Sequence, residues 1–375
     1  MRFLFYTHSL VSDWNHGNAH FLRGLMRELI SRGHQALALE PESGWSRSNL
    51  VAEHGPNAIE RFRNDFPELI AHLYGDGFEH EAWLAEADVV VVHEWTDPVL
   101  VERIGRARRV GGRFTLLFHD THHRAVSAGH EIFALALQDY DAVLAFGETL
   151  RARYVDAGWG RNAFTFHEAA DQRLFRPRSS EPKTGDLIWI GNWGDDERSS
   201  EIASFLIEPA RELGLATTVR GVRYPDQALR ALAEAGIRYD GWIANADVPT
   251  AFAQHRVTMH IPRRPYREAL PGIPTIRVFE ALACGIPLVS APWDDVEQLF
   301  RPGDFLVARD GREMSTHLRN ILHDASLSNA LVAAGRETIS SRHTCQHRVD
   351  QLLSILADCG TAEVVSQLTP KEAAQ

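Results

Sequence analysis

Pro271-Gly272-Ile273-Pro274-Thr275-Ile276-Arg277-Val278-Phe279-Glu280-Ala281-Leu282-Ala283-Cys284-Gly285-Ile286-Pro287-Leu288-Val289-Ser290 reads as one complete helix-to-strand unit. Proline opens a helix near Pro274-Thr275, because its fixed φ suits the first turn and its missing N–H is not needed there. Ile276, Phe279 and Leu282 fall on one apolar stripe. Gly285 closes the helix, and a buried strand follows at once after Pro287. A helix delivered directly into a buried strand is the repeating unit of a parallel α/β sheet.

The same alternation extends outward in both directions. Strands are predicted over Arg2–Thr7, Gln35–Glu40, Asp88–His93, Phe114–His119, Ala142–Gly147 and Ala163–His167. A helix from about Asn18 to Ser31 carries Phe21, Leu22, Leu25, Met26 and Leu29 on one face, with Gly33 behind it. Asp88-Val89-Val90-Val91-Val92 is a continuous apolar run, as a strand buried on both faces requires. After a polar, proline-containing stretch, strands recur over Asp186–Gly191, Ala216–Gly221, Ile237–Gly241, Val257–Ile261, Pro287–Ser290 and Asp304–Val307. Helices follow near Gly311–His323, Ser328–Ile339 and Cys345–Leu356. The expected organisation is a first Rossmann-like domain over 1–175, a linker over 176–185 and a second such domain over 186–343. A C-terminal helix over 344–360, free to return to the first domain, and a disordered tail over 361–375 complete it. Between Ser43 and Glu81 there is no readable chemistry, and no strand is assigned there. Facing sheets of this kind bind ligands between the carboxyl ends of their strands.

Bulk properties narrow the class. The chain has 375 residues, enough for two domains, with 44% hydrophobic and 24% charged residues. No run is long enough to span a bilayer, which leaves only a peripheral membrane contact open. The N-terminal strand turns polar at Thr7-His8 and so does not read as a signal peptide. Three cysteines cannot build a disulfide framework, and a reducing cytoplasm is expected. A net charge of −11 argues against nucleic-acid binding, though local arginines can still hold a small anion. No feature of the sequence specifies an oligomeric state.

Packing does not explain Arg277 and Glu280 on the helix of the opening segment. They form either a surface pair, worth a few tenths of a kcal/mol, or a ligand site in which the carboxylate accepts ribose hydroxyls. Phe279-Glu280-Ala281-Leu282-Ala283-Cys284-Gly285-Ile286-Pro287-Leu288-Val289 closely resembles the donor-binding signature of group 1 glycosyltransferases of GT-B fold. With Arg263-Arg264 and Ala269–Arg277 included, it resembles the branch related to the spore maturation protein CgeB. The resemblance spans nearly the whole chain. Asn15-His16-Gly17-Asn18-Ala19-His20 is similar to the family's glycine loop, with Gly17 and Asn18 on the acceptor side. Phe118-His119-Asp120 is similar to its sugar-contacting histidine strand. Phe146–Leu150 and Ala169–Pro177 are similar to its approach to the linker.

The resemblance implies a metal-independent glycosyltransferase of hexosyltransferase type, moving a sugar from a nucleoside-diphosphate sugar to a hydroxyl-bearing acceptor. Glu280 would bind the ribose, and His119 the sugar. The family's second glutamate, eight positions earlier, is Gly272 here. The loop through Gly272, Ile273 and Thr275 is then expected to offer backbone N–H groups at a helix N-terminus. Arg263 and Arg264, followed by Arg267, are candidates for a diphosphate clamp, with charged hydrogen bonds of about 1.5–3 kcal/mol each. Gly191 and Asn192 would let backbone approach the donor, and Arg198 is a further phosphate candidate. His16 suits an acceptor-side base near neutrality. Three histidines in His119-Asp120-Thr121-His122-His123 suggest a metal, but His122 and His123 should diverge on extended chain and no DxD is near, so no metal or other cofactor is expected. Trp14, Trp193 and Trp293 fall in candidate cleft loops and remain unassigned. Two rival readings are a nucleotide-sugar epimerase or hydrolase on the same scaffold, and a non-catalytic nucleotide-sugar-binding or coat-assembly protein.

Overall fold

The structure, a computed structural model, describes residues 1–178 and 181–361. Seven parallel strands form the first sheet: β1 (Arg2–Tyr6), β2 (Gln35–Pro41), β3 (Ile70–Tyr74), β4 (Val89–His93), β5 (Thr115–Asp120), β6 (Ala142–Ala145) and β7 (Ala163–Thr165), in the order β3-β2-β1-β4-β5-β6-β7. Six parallel strands form the second: β8 (Gly185–Ile190), β9 (Thr217–Arg220), β10 (Arg238–Tyr239), β11 (His255–His260), β12 (Leu288–Ser290) and β13 (Leu306–Val307), in the order β10-β9-β8-β11-β12-β13. Two Rossmann-like sheets therefore stand side by side in the GT-B arrangement. β4 is buried along its whole length, as its valine run requires. The unexpected strand is β3, an edge strand with no fully buried residue. Half-exposed on both faces, it lacks the alternation that marks a strand in sequence.

The opening segment forms the predicted unit. Its helix runs Ile276–Cys284 and ends on Gly285 in the left-handed conformation (φ +69°), after which β12 begins within three residues. Among the described residues no helix is long and apolar enough to cross a membrane. Ser179 and Ser180 of the expected linker, and the expected disordered tail past Thr361, lie outside the described residues.

The C-terminal helix (Cys345–Leu356) returns to the first domain. Arg32, just past the first helix (Ala19–Ser31), donates to Asp350 Oδ1 (2.6 Å), and Gln351 donates to the Thr165 carbonyl on β7 (2.7 Å). Val349, Leu352, Ile355 and Leu356 share one apolar cluster with Leu22, Leu25 and Leu29 of the first helix. At the crossing, Gly24 leaves no room for a side chain: a Cβ there would stand 2.5 Å from Cys345 Sγ and 2.7 Å from Asp171 Cβ. Gly24→Ala should gain helix propensity yet lose stability overall, by about 1–3 kcal/mol from overpacking. Urea unfolding measures this, and an unchanged or raised midpoint would refute the tight crossing.

Candidate active site

Each sheet reverses its strand order beside its first strand, and the loops leaving those strand ends face one another. Together they enclose a cleft of about 710 Å³. His8 and the Asp13–Asn18 loop follow β1, His93 and Trp95 end β4, and Thr121–His123 follow β5. Gly191 and Asn192 follow β8, Arg263 follows β11, and Thr275–Arg277 form the first turn of the signature helix. Four arginines (Arg198, Arg223, Arg263 and Arg277) line it against two acids, Asp13 and Glu168. A strongly acidic protein thus keeps a locally cationic cleft.

The cationic wall is built on Glu280. Its side chain is fully buried; His20 Nδ1 lies 2.9 Å from Oε1, and Arg277 pairs with Oε2. The Asp171 amide donates to His20 Nε2 (2.9 Å), so that nitrogen is bare and Nδ1 carries the proton toward Glu280. Burial pushes the Glu280 carboxyl up, but Arg277 and the His20 N–H outweigh it and hold it below the usual carboxylate range. Arg263 pairs with Glu197 (2.7 Å). Arg198 is buried, stacks over Trp189 and donates to the carbonyls of Ile261 and Asn192, tying the β8 loop to the β11 loop.

The opposite wall is largely imidazole and indole, with Asp13 paired to Arg23. His8 lies 5.2 Å from His16 and about 6 Å from both Trp45 and Trp95, ring centre to ring centre. Burial lowers His8 to about 4, and burial with neighbouring His8 lowers His16 well below its ordinary range, so both are neutral at pH 7. His16 Nε2 has no hydrogen-bond partner. Trp45 and Trp95 are about half exposed, at 45% and 46%. Pro41, Ser43 and Trp95 also border a groove of about 880 Å³ in the first domain. Asn192 and Asn15 touch across the cleft, and Asn15 holds a left-handed φ of +48°.

Residues 198–354 match the family model described as glycosyl transferase-like, placing this segment with group 1 glycosyltransferases. HepE from Anabaena, solved with UDP and glucose, superposes with a TM-score of 0.66 at 15% identity, covering 96% of this chain and 100% of that one. Sucrose-phosphate synthase from Thermosynechococcus elongatus gives 0.67 at 13% identity, with coverage of 96% and 100%. An alpha-glucosyltransferase in complex with UDP and a 13-mer DNA gives 0.67 at 12%, with coverage of 95% and 99%. No curated protein matches at a significant level. Residues 198–354 thus form a glycosyl transferase-like domain, and the chain as a whole shares the two-domain fold of these enzymes.

Not every residue singled out in the sequence reaches the cleft. His16, Gly17, Asn18, Gly191, Asn192, Arg198, Arg263, Thr275 and Arg277 line it. Glu280 stands behind Arg277, with both oxygens engaged. Contrary to expectation, His119 is a core histidine: it is 2% exposed and packed among His93, Phe21 and Phe166. Arg264 turns away to the Glu197 carbonyl and Glu201, and Arg267 also pairs with Glu201. Ile273 is fully buried and plugs into the first domain at Gly147, where a Cβ would meet it at 2.2 Å. Of the N–H groups expected to be free, those of Gly272 and Ile273 are used internally, donating to Asp294 (2.8 Å) and Leu270 (3.4 Å), while Thr275 lines the cleft. Gly272 itself has φ +90° against the side chains of Val296 and Glu297, a position that excludes a larger residue. His122 and His123 do not diverge; a turn brings their rings to 4.0 Å. No group of three or more His, Cys, Asp or Glu side chains able to hold a metal occurs among the described residues. Trp14, Trp193 and Trp293 are buried packing residues.

His8, His93, Glu94, Trp95 and Glu168 escaped the sequence reading, although all follow or end predicted strands. Glu94 is buried beside Asp120; it accepts from the Thr121 hydroxyl at 3.0 Å, and its second oxygen has no partner. Burial, then Asp120, raise its carboxyl from the ordinary 4.5 to about 8. An acid raised in the folded state costs stability as pH climbs from its unfolded value through its folded one. Glu94→Gln should therefore be more stable than wild type at pH 8, the advantage shrinking on acidification and gone by about pH 4.5. Thermal melts across that range check this, and a pH-independent difference would refute it.

Proposed function

We propose that this chain is a glycosyltransferase, moving a sugar from a nucleoside-diphosphate sugar to a hydroxyl-bearing acceptor without a metal ion. The carrying observation is Arg277, held on the buried carboxylate of Glu280 at the N-terminus of the signature helix and facing the cleft with Arg263. Two guanidinium groups and a helix N-terminus supply the positive charge that a departing diphosphate needs. On donor arrival Arg277 would exchange its bond to Glu280 for one to the diphosphate, freeing that carboxylate oxygen for the ribose hydroxyls. Gly191 and Asn192 would let the β8 loop approach the nucleotide.

On the first-domain side, neutral His16 beside His8 has the bare ring nitrogen that an acceptor proton requires. Trp45 and Trp95 offer faces on which an acceptor stacks, and the groove beyond Trp95 gives it a path. UDP, bound in the HepE and alpha-glucosyltransferase structures, is the first nucleotide to test. The CgeB-like branch fits the sequence through Arg263-Arg264 and Ala269–Arg277. The free thiols of Cys284, Cys345 and Cys359 fit a cytoplasmic location.

Arg263→Ala and Arg277→Ala should each weaken nucleoside-diphosphate binding about 10- to 100-fold, the equivalent of one charged hydrogen bond. Calorimetry with UDP, GDP and ADP measures this, and wild-type affinity in both variants would refute the clamp. Transfer should persist in excess EDTA; its loss would refute metal independence. Donor consumed without any acceptor would mark an epimerase or hydrolase instead.

A further inference from the structure

Glu168 is a buried acid in the cleft to which no protein group responds. It lies three residues beyond β7, is 3% exposed, and lines the cleft with Phe146, Tyr266, Thr275 and Arg277. Its Oε1 is sealed from solvent without a hydrogen-bond partner. Glu40, Glu94 and Asp304 also keep one unpartnered oxygen, but each accepts a bond at the other. Among the described residues Glu168 makes no side-chain hydrogen bond. A buried carboxyl left so is destabilising.

The chain cannot relieve this by moving, because both flanks are fixed. His167 is held by Glu297 (2.6 Å) on one side. On the other, the Ala170 amide donates to the His343 carbonyl (2.9 Å), Cys345 donates to the Ala170 carbonyl (3.1 Å), and the Asp171 amide donates to His20. Burial raises the Glu168 carboxyl well above its ordinary range; Glu280 and Glu94 add to this, and Arg277 opposes it. Burial thus favours the carboxylic acid form, which has one O–H to donate and a C=O to accept. That is the complement of an alcohol, and it leaves no anion to repel a diphosphate.

Glu168 faces Arg277 from the first-domain side of the cleft. A group attached to a diphosphate held by Arg277 and Arg263 would share the cleft with Glu168, Phe146 and Tyr266. We infer that Glu168 binds the sugar moiety of the donor, its carboxyl pairing with a sugar hydroxyl across the cleft from Arg277. This rests on the reading of the cleft as a nucleotide-sugar site.

The test is a paired calorimetric comparison of UDP with UDP-glucose and UDP-N-acetylglucosamine, of GDP with GDP-mannose, and of ADP with ADP-glucose. Glu168→Ala should lower affinity for the matching sugar nucleotide about tenfold while leaving the bare nucleoside diphosphate unchanged. Glu168→Gln, whose amide also donates and accepts, should retain most of the sugar-dependent affinity. In the pH profile of kcat/KM for the donor, wild type should lose activity on the alkaline side as the carboxyl ionises, and Glu168→Gln should not. Equal weakening of both ligands in Glu168→Ala, or no weakening of either, overturns the inference and leaves the donor site standing. A wild-type protein that binds no nucleotide at all overturns the reading of the cleft, and this inference with it.

Discussion

The buried hydrogen bond from His20 to Glu280, at 2.9 Å, ties the first helix to the signature helix, and the geometry of the cleft depends on it. Both side chains are almost completely enclosed. The Asp171 amide fixes the imidazole tautomer, the imidazole fixes one carboxylate oxygen, and the other oxygen fixes Arg277. Loss of any member leaves a polar or charged group buried without its partner, which is far costlier than an ordinary surface pair. Because the carboxylate is satisfied from behind, the guanidinium and not the acid faces the cleft. This contact thereby joins Ile273 at Gly147 and Asn15 at Asn192 in holding the two domains together, and it decides that a guanidinium faces the cleft here.

The two walls that result differ in kind. The second-domain wall is cationic and anchored by paired arginines; the first-domain wall is largely desolvated imidazole and half-exposed indole, its Asp13 offset by Arg23. An anionic leaving group and an uncharged nucleophile need this division. Against a net charge of −11, four arginines give the cleft a local positive charge that attracts an anion.

The fold was largely legible in the sequence because helix and strand periods, glycine stops and valine runs are local signals. Twelve of the strands fall at or close to predicted positions; β3 does not, since an edge strand half-open on both faces leaves no alternation to read. The site was legible only in part. Strand ends bring residues to the cleft, but the direction of a side chain depends on tertiary neighbours. His119 ends β5 and points into the core, while His93, its registered partner on β4, reaches the cleft. Arg263 faces in and Arg264 faces out, because Glu197 and Glu201 lie where no spacing rule places them. Glu280 was singled out as a ligand, and the histidine that encloses it lies 260 residues away in sequence.

The return of the last helix has a consequence for synthesis on the ribosome. Val349, Leu352 and Ile355 complete apolar packing begun by the first helix, and the Ala170 backbone pairs with the residues that open the last one. In chain order, the second domain is thus an insertion into the first. The first sheet is made before the helix that completes its packing and keeps one helical face uncovered until that helix has been made. A nascent chain that lacks the last helix leaves the Gly24 face of the first helix without its Cys345 partner, an incompletely packed surface of the kind that chaperones bind.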